Sequence, residues 1–169
     1  MTNQVEAFDV HRKKHLLNIG ELSLSIHVYG VVTKKDKVLI LPEYGGYGFP
    51  GGTLEIGETH YETLIREFHE ETGLDINPIK LLRIYDSFFC DEAYKIKDQS
   101  LLIFYLVEII GGKISTKGFD EAEKIYAKRP EWKSLSELRK MHHACNIDIA
   151  KELLSFVETE IESQNDYNK

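Results

Sequence analysis

The sequence predicts an α+β fold in which a mixed β-sheet carries helices on its faces. Apolar runs of strand length outnumber the segments in which apolar residues recur at helical spacing. Strands and helices do not alternate regularly, which argues against a doubly wound parallel sheet. The chain has 169 residues, 42% of them hydrophobic, and no internal linker rich in Ser, Pro or Gly, so it suits one domain.

The strands can be placed in order along the chain. Residues 21–33 and 37–41 flank the turn signal Lys35-Asp36, so they are predicted to form a hairpin. The pair Gly111-Gly112 marks a break after a later strand. Beyond the hairpin, strands are predicted at residues 79–89, 100–110 and 124–132.

Helix boundaries are marked by capping residues. An internal helix is predicted to begin at Thr59, with Glu62 as its reciprocal partner, and to end at Gly73, which readily adopts a left-handed conformation. Ser134 and Glu137 have the same capping spacing and predict a second, short helix. A last helix is predicted from apolar residues at helical spacing, namely Ile147, Ala150, Leu154, Val157 and Ile161.

A single domain is predicted over residues 1–169. Residues 1–18 form an N-terminal extension without the apolar core of a secretory signal, and the polar residues 163–169 have nothing to bury, so we expect them to fray. The longest apolar run, residues 101–107, is too short for a membrane span. We therefore expect a cytoplasmic protein without a membrane partner. The sequence leaves open whether the protein forms a homodimer.

The acidic charge balance limits the partners. Lys and Arg number 21 against 28 Asp and Glu, which gives a formal charge of −7. Basic residues cluster only at Lys34, Lys35 and Lys37, so a nucleic acid polymer is not expected to bind. A small phosphorylated ligand is compatible, because metal ions can invert the local charge of an acidic site. Cys90 and Cys145 lie outside any CxxC spacing, which predicts neither a zinc site nor a disulfide framework.

Three carboxylates crowd one face of the internal helix. Glu70 and Glu71 lie three and four residues after Glu67, so the three carboxylates repel one another and oppose the helix dipole near its C-terminal end. A cation among them would relieve this repulsion, and oxygen ligands select hard ions such as Mg²⁺ or Mn²⁺. The alternative is an ordinary solvated face. An adjoining apolar stripe is predicted to dock the helix and consists of Tyr61, Leu64, Ile65 and Phe68.

Histidine and aromatic side chains elsewhere are interpreted as structural. His142 and His143 are adjacent, so they would point apart on a helix, which favours a surface pair over a metal site. Aromatic residues of a small domain belong mostly to its core or rim, although each can stack on a base or sugar. The candidates for stacking are Tyr44, Tyr47, Phe49, Phe88, Phe89 and Tyr94.

The internal helix and the loop before it carry a long sequence pattern. Residues 52–74, GTLEIGETHYETLIREFHEETGL, fit G-x5-E-x7-R-E-U-x-E-E-x-G-U, in which U is a bulky apolar residue, at every specified position. Average residue frequencies give a chance match roughly once in ten million. The pattern resembles the box of the Nudix hydrolase family, and Phe49-Pro50-Gly51-Gly52 resembles the usual approach to it. The resemblance implies an α/β/α sandwich with a mixed β-sheet.

The resemblance also implies a metal-dependent hydrolase. Such an enzyme cleaves the pyrophosphate linkage of a nucleoside diphosphate derivative by attack of water on phosphorus. Glu67, Glu70 and Glu71 would ligate Mg²⁺ or Mn²⁺, and Gly52 would add its backbone carbonyl.

The same resemblance implies two supporting roles. Glu58 and Arg66 would orient the metal ligands. The general base would be a box glutamate or an acid of a later loop, so Glu70 competes with Glu121 and Glu123.

We expect a nucleoside triphosphate or a nucleotide sugar as the substrate, although residues outside the box argue against several subgroups without selecting one. The downstream proline that ADP-ribose hydrolases tend to carry is absent from residues 87–91, and the patterns of NADH and coenzyme A hydrolases are missing. Two alternatives stay open: a Nudix-fold sensor that binds a nucleotide without hydrolysis, and a prenyl diphosphate isomerase. Sensors often lose box glutamates, which this chain keeps. An isomerase needs a catalytic cysteine near the site, for which Cys90 is the candidate.

Overall fold

Strands dominate the described part of the chain, which in the computed structural model comprises residues 3–43, 46–92, 95–121, 123–144, 151–159 and 162. The helices are α1 (His60–Thr72), α2 (Glu123–Tyr126), α3 (Leu135–Leu138) and α4 at residues 151–159. The strands are β1 (Gln4–Phe8), β2 (Lys14–Asn18), β3 (Ser23–Val31), β4 (Thr33–Lys34), β5 (Lys37–Glu43), β6 (Gly46–Gly48), β7 (Gly51–Thr53), β8 (Leu74–Asp91), β9 (Ile96–Gly112) and β10 (Glu131–Ser134).

Two sheets organise these strands. The larger sheet has the order β2-β1-β8-β9-β3-β7, in which β1 and β8 pair in parallel, as do β3 and β9, whereas the other neighbours are antiparallel. The smaller sheet has the order β10-β5-β4, and β6 also pairs with β5. The mixed sheet predicted from the sequence is therefore confirmed. The N-terminal extension forms the β1–β2 hairpin at the edge of the larger sheet.

Helices cover both faces of the larger sheet. Along β9, Leu102 and Phe104 belong to a buried cluster that includes residues of α4, whereas Ile103 belongs to a second cluster that includes Leu64 and Phe68 of α1. Side chains alternate between the faces of a strand, so the two clusters lie on opposite sides of the sheet. This arrangement confirms the α/β/α sandwich. Within the residues described, no helix combines the length and apolar character needed to cross a bilayer.

The caps predicted for α1 are confirmed. Thr59 accepts a hydrogen bond from the backbone N–H of Glu62, whose side chain accepts one in return from the N–H of Thr59. Gly73 ends the helix in the left-handed region, with φ of 70°. The predicted apolar stripe is half wrong, because Leu64 and Phe68 are fully buried whereas Tyr61 and Ile65 are exposed. The helix instead completes its buried face with Thr63, Glu71 and Thr72.

The strand predicted at residues 124–132 is wrong. Residues 123–126 form the short helix α2, and the strand β10 begins only at Glu131. The local cause is a reciprocal cap in which the N–H of Glu123 donates to Asp120 Oδ1 and the N–H of Asp120 donates to Glu123 Oε2, each at 2.7 Å. The capping box predicted at Ser134 and Glu137 is confirmed at the start of α3.

The predicted hairpin of residues 21–33 and 37–41 is right only at its turn. Lys34 pairs with Lys37 and Thr33 with Val38, so the hairpin consists of β4 and β5. Strand β3 pairs instead with β9 and β7, because the chain passes from the larger to the smaller sheet after Val31. The strands predicted at residues 79–89 and 100–110 are confirmed as parts of the longer β8 and β9.

The C-terminal predictions are tested only in part. Leu154 and Val157 are buried on α4, as their spacing predicts, whereas Ile147, Ala150, Ile161 and the tail at 163–169 lie outside the described residues. The prediction of His142 and His143 as a surface pair is wrong for His143, whereas His142 is exposed. His143 is buried because it lies in an extended segment that bridges Tyr47 rather than on a helix.

Candidate active site

A cleft of about 730 Å³ opens beside β7 and the C-terminal half of α1. Carboxylates from five separate parts of the chain line it: Asp9 from the turn between β1 and β2, Glu43 from β5, Glu67 and Glu71 from α1, Asp120 from the loop after β9, and Glu123 from α2. The cleft therefore brings the acidic helix predicted from the sequence together with the later acidic loop.

The three helix carboxylates occupy different depths. Glu71 is only 5% exposed, and its Oε2 accepts a hydrogen bond of 2.7 Å from the backbone N–H of Gly51. The Glu67 side chain is 14% exposed and lines the cleft, whereas that of Glu70 is 45% exposed and does not belong to its lining. The predicted common face thus holds for Glu67 and Glu71, whereas Glu70 lies outside the cleft lining.

Arg66 connects the loop before the helix to this carboxylate face. Its Nε and Nη2 donate to the two carboxylate oxygens of Glu58 at 2.7 and 2.8 Å. Its Nη1 lies 2.9 Å from Glu67 Oε1 and 3.2 Å from Glu70 Oε2. The hydrogen bonds from Arg66, with those from Thr63 and the backbone of Glu55, lower the pKa of Glu58 to about 2. Arg66 can therefore hold both Glu67 and Glu70 in place.

Burial opposes ionisation of the deep carboxyl groups. Burial raises the pKa of Glu71 well above its ordinary value, and the charges of Glu43, Glu123 and Glu67 raise it further, against the hydrogen bond from Gly51. The pKa of Glu67 is also raised, first by burial, although Arg66 lowers it. Several carboxylates of like charge thus share a poorly hydrated space, which a cation would stabilise.

The donor set fits a hard divalent ion. All the groups are oxygen ligands, and a Cβ atom on Gly52 would lie only 2.5 Å from the carboxyl carbon of Glu67, so the backbone there comes close to the carboxylate. In the described residues, however, no three His, Cys, Asp or Glu side chains converge closely enough to form a ready-made ion site. Arg66 and the N–H of Gly51 occupy hydrogen-bonding positions on Glu67 and Glu71 instead.

Glu121 and Glu123, two of the candidates for the general base, lie in different environments. Glu123 lines the cleft, and burial raises its pKa. The Glu121 side chain is 93% exposed and pairs with Lys124 at 2.6 Å, outside the cleft lining. The loop packs closely on α1, since a Cβ atom on Gly118 would lie 2.3 Å from the backbone oxygen of Glu70.

Sequence reasoning missed Glu43. This residue ends the buried strand β5, and burial, reinforced by the charge of Glu123, raises the pKa of its carboxyl group to about 7. Its Oε1 would lie 1.9 Å from a Cβ atom on Gly48, so the lack of a side chain at that position makes room for it. The signal available in the sequence was a lone carboxylate directly after a run of buried apolar residues.

The N-terminal hairpin also contributes to the cleft, which the sequence did not indicate. The turn between β1 and β2 brings Asp9 and Arg12 to the cleft wall. Arg12 donates a 2.7 Å hydrogen bond from Nη2 to the backbone oxygen of His143, which ties the hairpin to the segment after α3. His27 and Tyr29 of β3 line the same cleft and were missed as well.

The aromatic candidates divide between core and cleft. Phe49, Phe88 and Phe89 line the cleft, although Phe49 is almost fully buried. Tyr47 is buried in the core, where its ring lies 5.0 Å from that of His143 and does not reach the cleft lining. Tyr44 and Tyr94 lie outside the described residues.

This fold and this arrangement of acidic groups define a Nudix-type domain. The family model of the NUDIX domain matches residues 23–153, which is most of the chain. The chain therefore belongs to the Nudix hydrolase family, and the resemblance stated from residues 52–74 is confirmed.

Individual relatives agree with this assignment. An ADP-ribose pyrophosphatase of Methanocaldococcus jannaschii is 32% identical over 105 residues, which span 59% of this chain and 59% of that protein. The chain thus covers less than two thirds of this relative. A crystal structure of a MutT protein from Bacillus halodurans is 28% identical with a TM-score of 0.60, covering 77% of this chain and 82% of that one. A Nudix hydrolase from Nitrosomonas europaea, at 21% identity, has a TM-score of 0.61 over 82% of this chain and 90% of that one, and supports the fold alone.

Proposed function

We propose that this protein is a divalent-metal-dependent hydrolase that cleaves the pyrophosphate linkage of a nucleoside diphosphate derivative. The observation that carries the proposal is the meeting of Glu67, Glu71 and Glu123 at one cleft, close to the backbone of Gly52. Clustered carboxylates of like charge are costly to bury, and Mg²⁺ or Mn²⁺ bound among them beside a phosphate group would offset that cost.

Glu67, Glu70, Glu71 and the carbonyl of Gly52 are the proposed metal ligands. When bound, the ion supplies positive charge that offsets the charge developing on the phosphate oxygens. Arg66 keeps Glu67 and Glu70 oriented through its hydrogen bonds, and its bidentate pair with Glu58 fixes the guanidinium itself.

Glu123 is the proposed general base. It lines the cleft, and its raised pKa brings proton uptake closer to neutral pH, where a base works best. Glu70 is the competing candidate as a box glutamate, although its carboxylate contacts Arg66 outside the cleft lining. The exposure of Glu121 and its pairing with Lys124 argue against a role for that residue.

For the substrate, we propose a nucleoside triphosphate or a nucleotide sugar. The similarity to a protein named ADP-ribose pyrophosphatase adds ADP-ribose to the compounds worth testing, although this chain lacks the downstream proline. The cleft volume of about 730 Å³ and the aromatic residues Phe88 and Phe89 on its wall are compatible with a nucleotide-sized ligand.

Prenyl diphosphate isomerase activity is less well supported. Cys90, the cysteine proposed for that chemistry, is buried against Ala7 and Leu17 and does not line the cleft. Burial also raises the pKa of its thiol, which makes it a poorer nucleophile or acid-base group at neutral pH. Cys145 lies outside the described residues.

A mutational series with product identification tests the proposal. Glu71→Gln and Glu70→Gln are expected to lower kcat at least about a hundredfold, because a metal ligand is lost while the side-chain shape is kept. Glu123→Gln is expected to do the same if it is the base, whereas Glu121→Gln serves as the matched control and keeps near wild-type turnover. The substrates are ATP, UDP-glucose and ADP-ribose, and the products are separated by chromatography. Cleavage by the Glu71→Gln variant at the wild-type rate would contradict the assignment, and tight binding without any product would favour a sensor.

A further inference from the structure

The N-terminal hairpin of β1 and β2 closes one end of the cleft. Both strands lie outside residues 23–153, so the hairpin is an addition to the part of the chain that the family model matches. In the larger sheet β1 and β7 are four strand spacings, about 19 Å, apart, and the cleft lining includes residues from β1, β8, β9, β3 and β7. The cleft therefore runs across the sheet from the hairpin to β7, where Gly52 lies.

Arg12 supplies positive charge at the hairpin end. It is the only lysine or arginine among the described residues of the cleft lining, whereas all the lining carboxylates except Asp9 belong to β5, α1, α2 and the loop before α2. Of the five side-chain N–H donors of Arg12, one on Nη2 donates to the backbone oxygen of His143. Within the described residues no carboxylate pairs with Arg12. Its other side-chain donors are therefore available to an anion in the cleft.

The turn holds Arg12 in a backbone conformation that is costly for an arginine. Its φ is 62°, in the left-handed region that favours glycine and, to a lesser extent, asparagine. Asp9 enforces this conformation, because its Oδ1 accepts hydrogen bonds of 2.9 Å from the N–H groups of His11 and Lys13, and its backbone oxygen accepts one of 2.8 Å from the N–H of Arg12. The Asp9 carboxylate also contacts His15 at 2.9 Å, so it is used within the hairpin. A strained residue of this kind often belongs to a ligand-binding site.

The side chains around the hairpin end of the cleft are apolar. They come from the hairpin and from β8, which pairs with β1 through Phe8 and Phe89, and they are Phe8, Val10, Phe88 and Phe89. Poor hydration strengthens the attraction between a cation and an anion. An anionic group at this end would meet one unpaired cation, whereas near Gly52 it would meet carboxylates that only a metal ion can offset. The two ends of the cleft thus suit two separate anionic groups.

We propose that Arg12 determines specificity by binding a second anionic group of the substrate, a phosphate or a carboxylate on the moiety joined to the nucleoside diphosphate. The proposal rests on the proposed function, because it takes the pyrophosphate linkage to lie at the carboxylates near Gly52. The pattern in residues 52–74 accounts for the pyrophosphate linkage and leaves the charge of the attached moiety undefined. The hairpin, which lies outside that pattern, selects for this charge.

Two pairs of compounds, each differing by one anionic group, test the proposal. UDP-glucuronate carries a carboxylate that UDP-glucose lacks, and ATP carries a terminal phosphate that ADP lacks. For the intact protein in Mg²⁺, kcat/KM and the shift of the melting temperature are measured with all four compounds. In at least one pair the more highly charged compound is expected to have a kcat/KM at least about tenfold higher. The pair that shows the preference identifies the anion as a carboxylate or a phosphate.

Two variants connect this preference to Arg12. Arg12→Asn removes the guanidinium and keeps a residue that tolerates the left-handed backbone, so it should reduce the preference at least about fivefold. Lys13→Gln is the matched control, because it removes one positive charge from the same turn outside the cleft lining and should keep the preference. If Arg12 only tied the hairpin to His143, both compounds of a pair would be affected equally in Arg12→Asn.

The outcomes separate this proposal from the proposed function. A lack of preference in both pairs, or a preference that is unchanged in Arg12→Asn, would overturn the role of Arg12. Hydrolysis without such a preference would leave the hydrolase intact. A larger melting shift with the more highly charged compound, lost in Arg12→Asn, in a protein that hydrolyses none of the four would refute the hydrolase and support the anion site.

Discussion

Replacing Glu43 by Gln is expected to stabilise the metal-free protein, and only above acidic pH. Burial, together with the charge of Glu123, raises the pKa of the Glu43 carboxyl group from 4.5 to about 7 on folding. The folded state thus binds this proton more tightly than the unfolded chain. Its contribution to stability is present in full below about pH 4.5 and is lost as the pH rises to about 7.

The size of the effect follows from the two values. A difference of one between the folded and unfolded pKa corresponds to about 1.4 kcal/mol. The ionised Glu43 side chain therefore lowers the free energy of unfolding by up to about 3 kcal/mol above pH 7, and its residual solvent contact makes this an upper bound. Glutamine carries no charge, so the variant escapes the penalty. Its free energy of unfolding should match that of the wild type near pH 4.5 and exceed it increasingly toward pH 8.

Urea unfolding in EDTA at pH 5, 6, 7 and 8 measures this difference, with the fluorescence of Trp132, the single tryptophan, as the probe. Glu121→Gln is the matched control, because its side chain is 93% exposed and should give a difference near zero at every pH. A difference between Glu43→Gln and the wild type that stays constant from pH 5 to pH 8 would refute the reasoning.

Three further outcomes are expected. Millimolar Mg²⁺ or Mn²⁺ should raise the melting temperature by about 5 to 10 °C at a hundredfold excess over Kd, and a melting curve that is the same in excess EDTA would contradict this. Gly52→Ala should raise the Mg²⁺ concentration needed for half-maximal activity at least about tenfold, because the added methyl group meets the Glu67 carboxyl group. Gly20→Ala is the control, because the space around Gly20 is open and the Mg²⁺ titration should be unchanged. Arg66→Lys should lower kcat about ten- to hundredfold, since a lysine cannot contact Glu58, Glu67 and Glu70 at once; an unchanged kcat would show that these contacts are dispensable.

The features that the sequence predicted correctly are those encoded over short distances. The ends of α1 depend on Thr59, Glu62 and Gly73, which lie in or next to the helix they delimit. The shared position of Glu67 and Glu71 follows from one helical turn. The start of α2 is equally local but was missed, because Asp120 and Glu123 form a reciprocal cap with an aspartate in place of serine or threonine.

The remaining features depend on pairings between distant parts of the chain. Strand β3 pairs with β9 and β7 instead of forming the predicted hairpin. This pairing places His27 beside Thr53 and brings Ser25 within hydrogen-bonding distance of Asp98, and the sequence pattern of β3 does not indicate those neighbours. Glu43 reaches the cleft only because β5 ends there. Arg12 reaches it because β1 joins the edge of the larger sheet through Phe8.

The cleft carboxylates come from several distant segments, whereas the pattern by which the family is recognised lies within residues 52–74. The pattern alone therefore does not contain the whole site. A peptide of residues 52–74 would carry every position by which the family is recognised, yet it would lack Glu43, Glu123 and the strand that brings His27 opposite Thr53. Grafting that segment onto another scaffold would transfer the signature without the chemistry. What the rest of the chain supplies is the enclosure that brings carboxyl groups from distant segments together.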